Sequence, residues 1–546
     1  MNSNRIHKKG MAGRQIGLFL IGCFLLLAGG AQAGEQKYVM SLSSDWRVAG
    51  DLPEKALLLS LQGVVNREKP QLYFLYSKDW DFKFSAPLLK YYETSRGMHF
   101  QTLSTVDEAV HLLGRKARGY VVWDPKAPTT LVVAFTIAGL THSLVVTEAL
   151  IPLMRQYQLP LKADLRKKFR GKSDYEINRW AYQRFWKQCS RKYLVMLGGQ
   201  RGKVMKPGIA DFGVLKGAFF TNLSTDPADS QEYRLAKKIF SEMPPLSMIM
   251  GWHVYGKDSE AQYVTLASHY ALRVEGLHTL PNMSFNHQIP LSPGYKFHNH
   301  HNIQPNKRYI PQKKVYIAFI QTDCLGLGAW TEPGRGDIPY AWEVTMNWYW
   351  LAPAMLQFFY DEATPNDYFI GSLSGPGYMY PQAIPAKWRP LVIQKAYALM
   401  KKLDLNAFET MEHSRYWQSD GVNDDLSRQV VSDYFKGMPG AIGFANGYRP
   451  AHTFAVQNGR PFLSFDYYLS EKRDEKEAVA DLQELANLNA KRPYFLLVHV
   501  REWSDIERVK RILNQLGQDF QLVPLDVFFK LAGTEPTFKT RFAGEY

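Results

Sequence analysis

From residue 315 to residue 523 the chain repeats one pattern, a short apolar run followed by a helix-like stretch. The runs fall at 315–321, 338–344, 368–373, 406–411, 441–445, 462–465, 494–500 and 520–523. A strand buried on both faces reads as a continuous apolar run, and strands that alternate with helices lie parallel because each helix carries the chain back to the starting edge. The series therefore predicts a seven- or eight-stranded β/α barrel of the TIM type. Helix-start signals agree with it. Pro385 precedes the stretch 386–403, and Ser504-Asp505-Ile506-Glu507 is a capping box before Ile506, Val509, Ile512, Leu513 and Leu516, which share one helical face. Only the first crossover, 325–337, is irregular and rich in glycine.

The N-terminal half alternates in the same way. Apolar runs at 38–42, 71–76, 99–103, 119–123 and 144–147 enclose helical stretches at 54–65, 85–92, 105–113 and 129–140, which predicts a parallel α/β sheet covered on both faces. Beyond 160 a basic stretch, 162–172, leads into an aromatic helix with Trp180, Tyr182, Phe185 and Trp186 at the spacing of a core face. Runs at 193–197, near 211–213 and at 248–252 supply a further subdomain. Prolines and Gly294 then mark a linker from 282 to 311, with His298-Asn299-His300-His301-Asn302 inside it. Alternate histidines can ligate a metal, but no carboxylate or cysteine stands beside them, so no metal and no cofactor are assigned. The expected class is α/β: a leader at 1–33, N-terminal α/β subdomains at 34–160 and 161–310, and the barrel at 311–546.

Arg5, Lys8, Lys9 and Arg14, the apolar run 16–28 and Ala31-Gln32-Ala33 follow the order of a secretory leader, with cleavage expected after Ala33. The run is shorter than the ~20 residues of a membrane span. Leu20-Ile21-Gly22-Cys23 is similar to a lipobox, but Phe24-Leu25-Leu26-Leu27 follows where a polar tether belongs. The expected location is periplasmic or extracellular, with no transmembrane segment in the mature chain. The formal charge of +15 falls to +11 without the leader, which suits acidic glycans or an anionic envelope as well as a plain solvated surface. There is no groove-reading module, no G-x-G-x-x-G after the first strand and no Walker A sequence, so neither nucleic acid nor nucleotide is expected. Cys189 and Cys324 remain after the leader, as one disulfide or two thiols.

Ser374 to Pro381 reads Ser-Gly-Pro-Gly-Tyr-Met-Tyr-Pro. Two glycines and two prolines exclude a helix or regular strand, leaving a rigid loop that displays two phenols or packs them on its neighbours. Gly375-Pro376-Gly377-Tyr378-Met379-Tyr380-Pro381 resembles the signature of the bacterial GxGYxYP putative glycoside hydrolases. Leu61-Gln62-Gly63-Val64-Val65-Asn66-Arg67, Gly251-Trp252, Ile338-Pro339 with Trp342, and Ala363-Thr364-Pro365-Asn366-Asp367 match further landmarks of that family. The resemblance implies a polysaccharide or oligosaccharide partner.

In a β/α barrel the site forms at the carboxyl ends of the strands. Asp323, Glu343, Glu409, Glu412, His413, Asp466 and Glu502 stand at such positions. Glycoside hydrolysis needs two carboxyl groups, one protonated and one ionised. Asp323 is the first candidate and Glu412 its partner, with Glu343 and Asp367 behind them. Trp330, Trp342, Trp503, Tyr378, Tyr380, Gly375 and Gly377 are the candidate sugar-binding wall; Tyr340 and Trp417 also fall near the mouth. Where the family usually has Ser-Asp-Gly-Asp-Asn after the first barrel strand, this chain has Thr322-Asp323-Cys324-Leu325-Gly326. Two other readings stay open. A metal-dependent polysaccharide deacetylase would use Asp323, His413 and His499, and a glycan-binding or envelope-assembly protein would keep the barrel with a degenerate site.

Overall fold

The computed structural model describes residues 36–198, 200–201, 204–276, 279–323, 325, 328–414 and 424–545. The leader with its cleavage position, Cys324 and Trp417 lie outside the described residues. Among the described residues no helix is long and apolar enough to cross a membrane. Cys189 is a buried free thiol, and burial pushes its pKa up to about 12.

The N-terminal apolar runs form three separate parallel sheets. β1 (Lys37–Ser41), β2 (Leu72–Leu75) and β3 (Phe100–Leu103) take the order β2-β1-β3, and β4 (Tyr120–Val122), β5 (Leu144–Val146) and β6 (Leu161–Asp164) the order β5-β4-β6. The single sheet expected over 34–160 is thus two. Helix α1 (Leu52–Val65), buried along nearly its whole length, covers β5, and Ser60 Oγ accepts the Val145 N–H at 2.8 Å, so that edge pairs with a side chain instead of a further strand. β7 (Tyr193–Leu197), β8 (Phe219–Thr221), β9 (Met248–Trp252) and β10 (Arg273–Glu275) form the third sheet in the order β8-β7-β9-β10. The Leu61–Arg67 landmark joins these parts: Gln62 Nε2 donates to Asn282 Oδ1 at 2.7 Å, Asn66 Nδ2 to Ser284 Oγ at 3.0 Å, and Arg67 to the Gly139 carbonyl at 2.8 Å.

Ten strands of the C-terminal half make one sheet. β11 (Val315–Gln321), β12 (Tyr340–Thr345), β13 (Asp367–Ser372), β14 (Ala407–Thr410), β15 (Gly443–Asn446), β16 (Phe454–Gln457), β17 (Arg460–Ser464), β18 (Tyr467–Leu469) and β19 (Tyr494–Val500) take the order β16-β17-β15-β14-β13-β12-β11-β19-β18, and β20 (Phe520–Leu522) pairs with the start of β11. All pairs are parallel except β16 with β17. β17, second from one end of this row, and β18, at the other end, are consecutive in the chain. The Phe465 N–H bonds to Asn446 O at 3.1 Å and the next N–H, Asp466, to Leu497 O at 2.9 Å, so one segment leaves β15 and joins β19.

Strand alternation sorts the side chains into two layers. Val315, Ile317, Phe319, Trp342, Phe369 and Phe408 belong to the main core, whereas Tyr316, Ala318, Ile320, Ala341, Ile370, Ala407 and Leu497 pack with Phe528 and Phe529. Those two phenylalanines belong to α2 (Leu525–Thr534). Two residues further along their strands, on the same face as Ala341, Ala407 and Leu497, stand Glu343, Glu409 and His499. β14 and β19 are four strand spacings apart in sheet order, about 19 Å if the sheet were flat. Yet His499 Nε2 lies 3.7 Å from Glu409 Oε1. The sheet is therefore curled, and this face is its inside.

The stretch expected to be a linker is packed along the sheet. Asn299 donates to the Phe369 carbonyl at 2.8 Å and accepts its N–H at 2.9 Å; Asp526 accepts the N–H groups of Asn302 and Ile303. His300 is hydrogen bonded to the Thr364 carbonyl and His301 pairs with Asp404 at 3.1 Å. These histidines serve different neighbours and do not converge.

Candidate active site

The signature loop is a clamp before it is a wall. Val274 of β10 and Tyr378 exchange two backbone hydrogen bonds, of 3.0 and 2.9 Å. A Cβ on Gly377 would stand 2.6 Å from Asn347 Nδ2 and 3.0 Å from Arg273 Cβ, so only glycine admits this approach. A Cβ on Gly375 would meet Met379 Sδ at 2.9 Å. Ser374, at φ +70°, donates its hydroxyl to the Met411 carbonyl at 3.0 Å and fixes the loop to the end of β14.

Tyr378 and Tyr380 are buried. The Tyr378 ring stacks on Trp252 with centroids 6.0 Å apart and planes 13° apart, and its hydroxyl donates to Glu260 Oε1 at 2.5 Å. Tyr380 lies at right angles to it, hydroxyl to hydroxyl 3.3 Å. Glu260 opens helix Glu260–His269, whose cap is the Ser259–Gln262 box. Burial raises its pKa, the Tyr378 hydrogen bond opposes the rise, and the charge of Asp323 adds to it.

Asp323 stands at the carboxyl end of β11, at φ +62° and with its side chain 34% exposed. The Thr322 hydroxyl lies 3.0 Å from Asp323 Oδ2 and 3.1 Å from Glu502 Oε2, bridging the two acids. Arg501 Nε is 2.7 Å from Glu502, and Arg501 Nη1 is 3.7 Å from Asp323. Even so, the Glu502 pKa is pushed up to about 10, by burial first and then by the Asp323 charge. Arg501 also bonds to the Tyr448 hydroxyl, which meets Tyr468 at 3.0 Å. Two adjoining hollows open here: Asp323, Trp252, Glu275, Gly377, Tyr378 and Met411 line one, and Glu260, Tyr378, His413, Tyr448 and Arg449 the other.

Four segments of the chain match domains described under one name: residues 37–113 the GxGYxYP_N first domain, 117–189 its second domain, 191–288 the GxGYxYP third domain, and 313–533 the GxGYxYP putative glycoside hydrolase C-terminal domain. The chain belongs to the GxGYxYP family. A crystal structure of a putative hydrolase from Bacteroides thetaiotaomicron VPI-5482 superposes with a TM-score of 0.74 at 18% identity, over 92% of this chain and 95% of that one. No match is found among curated proteins.

For this GxGYxYP chain the positions of the expected site residues divide. Asp323, Tyr378, Tyr380 and Gly377 gather with Glu260 and Glu502. Glu412 is buried beside them, where its carboxylate accepts the N–H groups of Gln382 and Ser414, both at 2.8 Å; burial still raises its pKa. With both oxygens committed to backbone, it holds the loop in shape. Glu343 lies inside the sheet, unexposed.

Asp367, Trp342 and Trp330 depart from the expected site. Asp367 begins β13, at the end of the sheet opposite the mouth, and its carboxylate accepts from Trp342 Nε1 at 2.8 Å, Thr364 N at 2.8 Å and Arg335 at 3.0 Å. Trp342 faces the main core, and Trp330 packs on it, centroids 5.0 Å apart, beneath Arg335. Sugar has no access to either ring. Trp503 follows β19 and is 43% exposed, and Gly375 is buried under its own loop.

Glu260 is not among the sequence-derived candidates because it lies far in the chain from the strands of the curled sheet. Its signal was the capping box Ser259-Glu260-Ala261-Gln262, which placed a helix N-terminus but not what it faced. Asp323, His413 and His499 form no metal-ligating group among the described residues. His413 pairs with Asp424 at 2.9 Å, while His499 is buried inside the sheet.

Proposed function

We propose that this GxGYxYP protein is an exported glycoside hydrolase that cleaves a polysaccharide, with Glu260 as general acid and Asp323 as base or nucleophile. The observation that carries it is the pairing of unlike carboxyl groups on two adjoining hollows that share Tyr378. Glu260 is held toward its protonated form by burial, while Asp323 is partly exposed beside the Arg501 cation. Hydrolysis of a glycosidic bond asks for that division, one carboxylic acid to protonate the leaving oxygen and one carboxylate to attack or to activate water. Glu502, held toward its protonated form by burial and by the Asp323 charge, and Thr322 lie against Asp323 and orient it. Trp252, partly exposed beside Tyr378, offers flat apolar surface for a sugar ring, and Arg449 and Tyr448 offer polar groups at the rim. The curled sheet would then act as a TIM-like barrel, with the 460–469 segment bridging its two flanks and the chemistry at its carboxyl end. The leader at 1–33 directs the chain across the inner membrane and is removed.

The test is incubation of the mature protein with a panel of polysaccharides while new reducing ends are counted. Release by the wild type, lost in both Asp323→Asn and Glu260→Gln, is the expected result; no release from any glycan, or release unaffected by both changes, refutes the reading.

A further inference from the structure

Below the mouth, Glu343 of β12, Glu409 of β14 and His499 of β19 converge from three strands, with ligand atoms all within 4.8 Å of one another. All three are fully buried. His499 Nε2 is 3.3 Å from Glu343 Oε1 and 3.7 Å from Glu409 Oε1. Its other nitrogen, Nδ1, lies 2.9 Å from the Tyr448 carbonyl. A carbonyl only accepts, so Nδ1 carries a hydrogen and Nε2 is the ring nitrogen turned toward the two acids. The Phe465 ring, stacked on the imidazole at 4.1 Å, fixes its plane.

Two carboxylates and a ring nitrogen facing one point need a cation or a shared proton between them. Neither oxygen of Glu409 meets a hydrogen-bond partner among the described residues, although the side chain is buried and aimed at the group. An orphaned buried carboxylate is costly. We infer that Glu343, Glu409 and His499 bind one divalent transition-metal ion inside the curled sheet. One ion of charge two neutralises both carboxylates and uses the lone pair that the Tyr448 carbonyl has oriented, the arrangement in which a metal-bound histidine donates its second N–H to an acceptor. One imidazole and two carboxylates suit zinc, manganese or iron(II) better than calcium or magnesium, whose preferred ligands are all oxygen. This site is independent of the roles given to Glu260 and Asp323.

The rival is a proton shared between Glu343 and Glu409. The experiment is metal analysis of the purified full chain, followed by chelation and calorimetric titration with Zn²⁺ and with Mn²⁺. About one equivalent is expected, with a melting temperature lowered by chelation and restored by the ion. Glu409→Gln and His499→Gln should each weaken binding at least about tenfold. Near-UV circular dichroism checks that each variant folds, and Glu343→Asp stands in for either that does not. The proton-sharing pair is the answer, and the inference falls, if no ion binds stoichiometrically, if the variants bind as the wild type does, or if chelation leaves the melting temperature unchanged.

Discussion

The two ends of the curled sheet carry the same kinds of side chain and treat them in opposite ways. At the entering end, Asp367 has a donor for each oxygen, from Trp342, Thr364 and Arg335. At the leaving end Asp323, Glu502 and Glu260 crowd around Arg501, Thr322 and Tyr378, and burial holds Glu502 and Glu260 toward their protonated forms. A carboxylate with all its partners in place is fixed in one state and can only brace the fold. Carboxyl groups that compete for partners keep protonation states far from their ordinary values, which acid/base chemistry can use.

The contrast can be broken by substitution. At the leaving end, Asp323→Asn or Glu260→Gln should lower turnover by about 10²–10⁴-fold, the usual worth of a positioned acid or base, and shift the melting temperature little. Asp367→Ala should do the reverse. Leaving Arg335 and the Trp342 indole without their partner is expected to cost about 3 kcal/mol in denaturant unfolding, with the turnover of the folded fraction kept. Gly377→Ala tests the clamp between them. Its methyl would meet Asn347 and Arg273, and overpacking of this kind costs about 1–3 kcal/mol; activity should fall with it, because Tyr378 and Glu260 are held by the same loop.

The smallest effect is in pH dependence. Burial and then the Asp323 charge push the Glu502 pKa up to about 10 in the folded state, above the ordinary carboxylate value of about 4.3. The folded state thus keeps a proton that the unfolded state loses across that window, so this group's contribution is complete below about pH 4 and falls as pH rises toward 10. Glu502→Gln, which keeps a donor without the titration, should flatten that part of the stability profile. An unchanged slope would mean that Glu502 ionises normally and that the rim is no different from Asp367.

Much of the sheet was legible in advance, since a parallel strand buried on both faces has to be an unbroken apolar run: 315–321 and 494–500 were read to the residue as Val315–Gln321 and Tyr494–Val500. What such runs do not encode is the curl, or the neighbour of each strand, which depends on helices and loops hundreds of residues away. The separation of the first two sheets followed from one buried helix whose Leu-Leu-Leu-Ser-Leu-Gln pattern reads as core whatever it covers. The place of Asp323 at a strand's carboxyl end is legible because it follows the run 315–321. Asp367 precedes the run 368–373, so its place at the entering end is legible; what the letters do not show is that Trp342, Thr364 and Arg335 take up both its oxygens. Glu260 and the Glu343–Glu409–His499 group needed the tertiary fold, since each is completed by elements distant in sequence.

The division of labour between Glu260 and Asp323 is tested most directly by the dependence of rate on leaving group. With aryl glycosides of the sugar found in the glycan panel, Glu260→Gln should approach wild-type rates as the departing phenol becomes more acidic, because an acidic phenol leaves without a proton. Asp323→Asn should stay slow throughout. Equal loss in Glu260→Gln across all leaving groups would contradict the assignment of Glu260 as the acid.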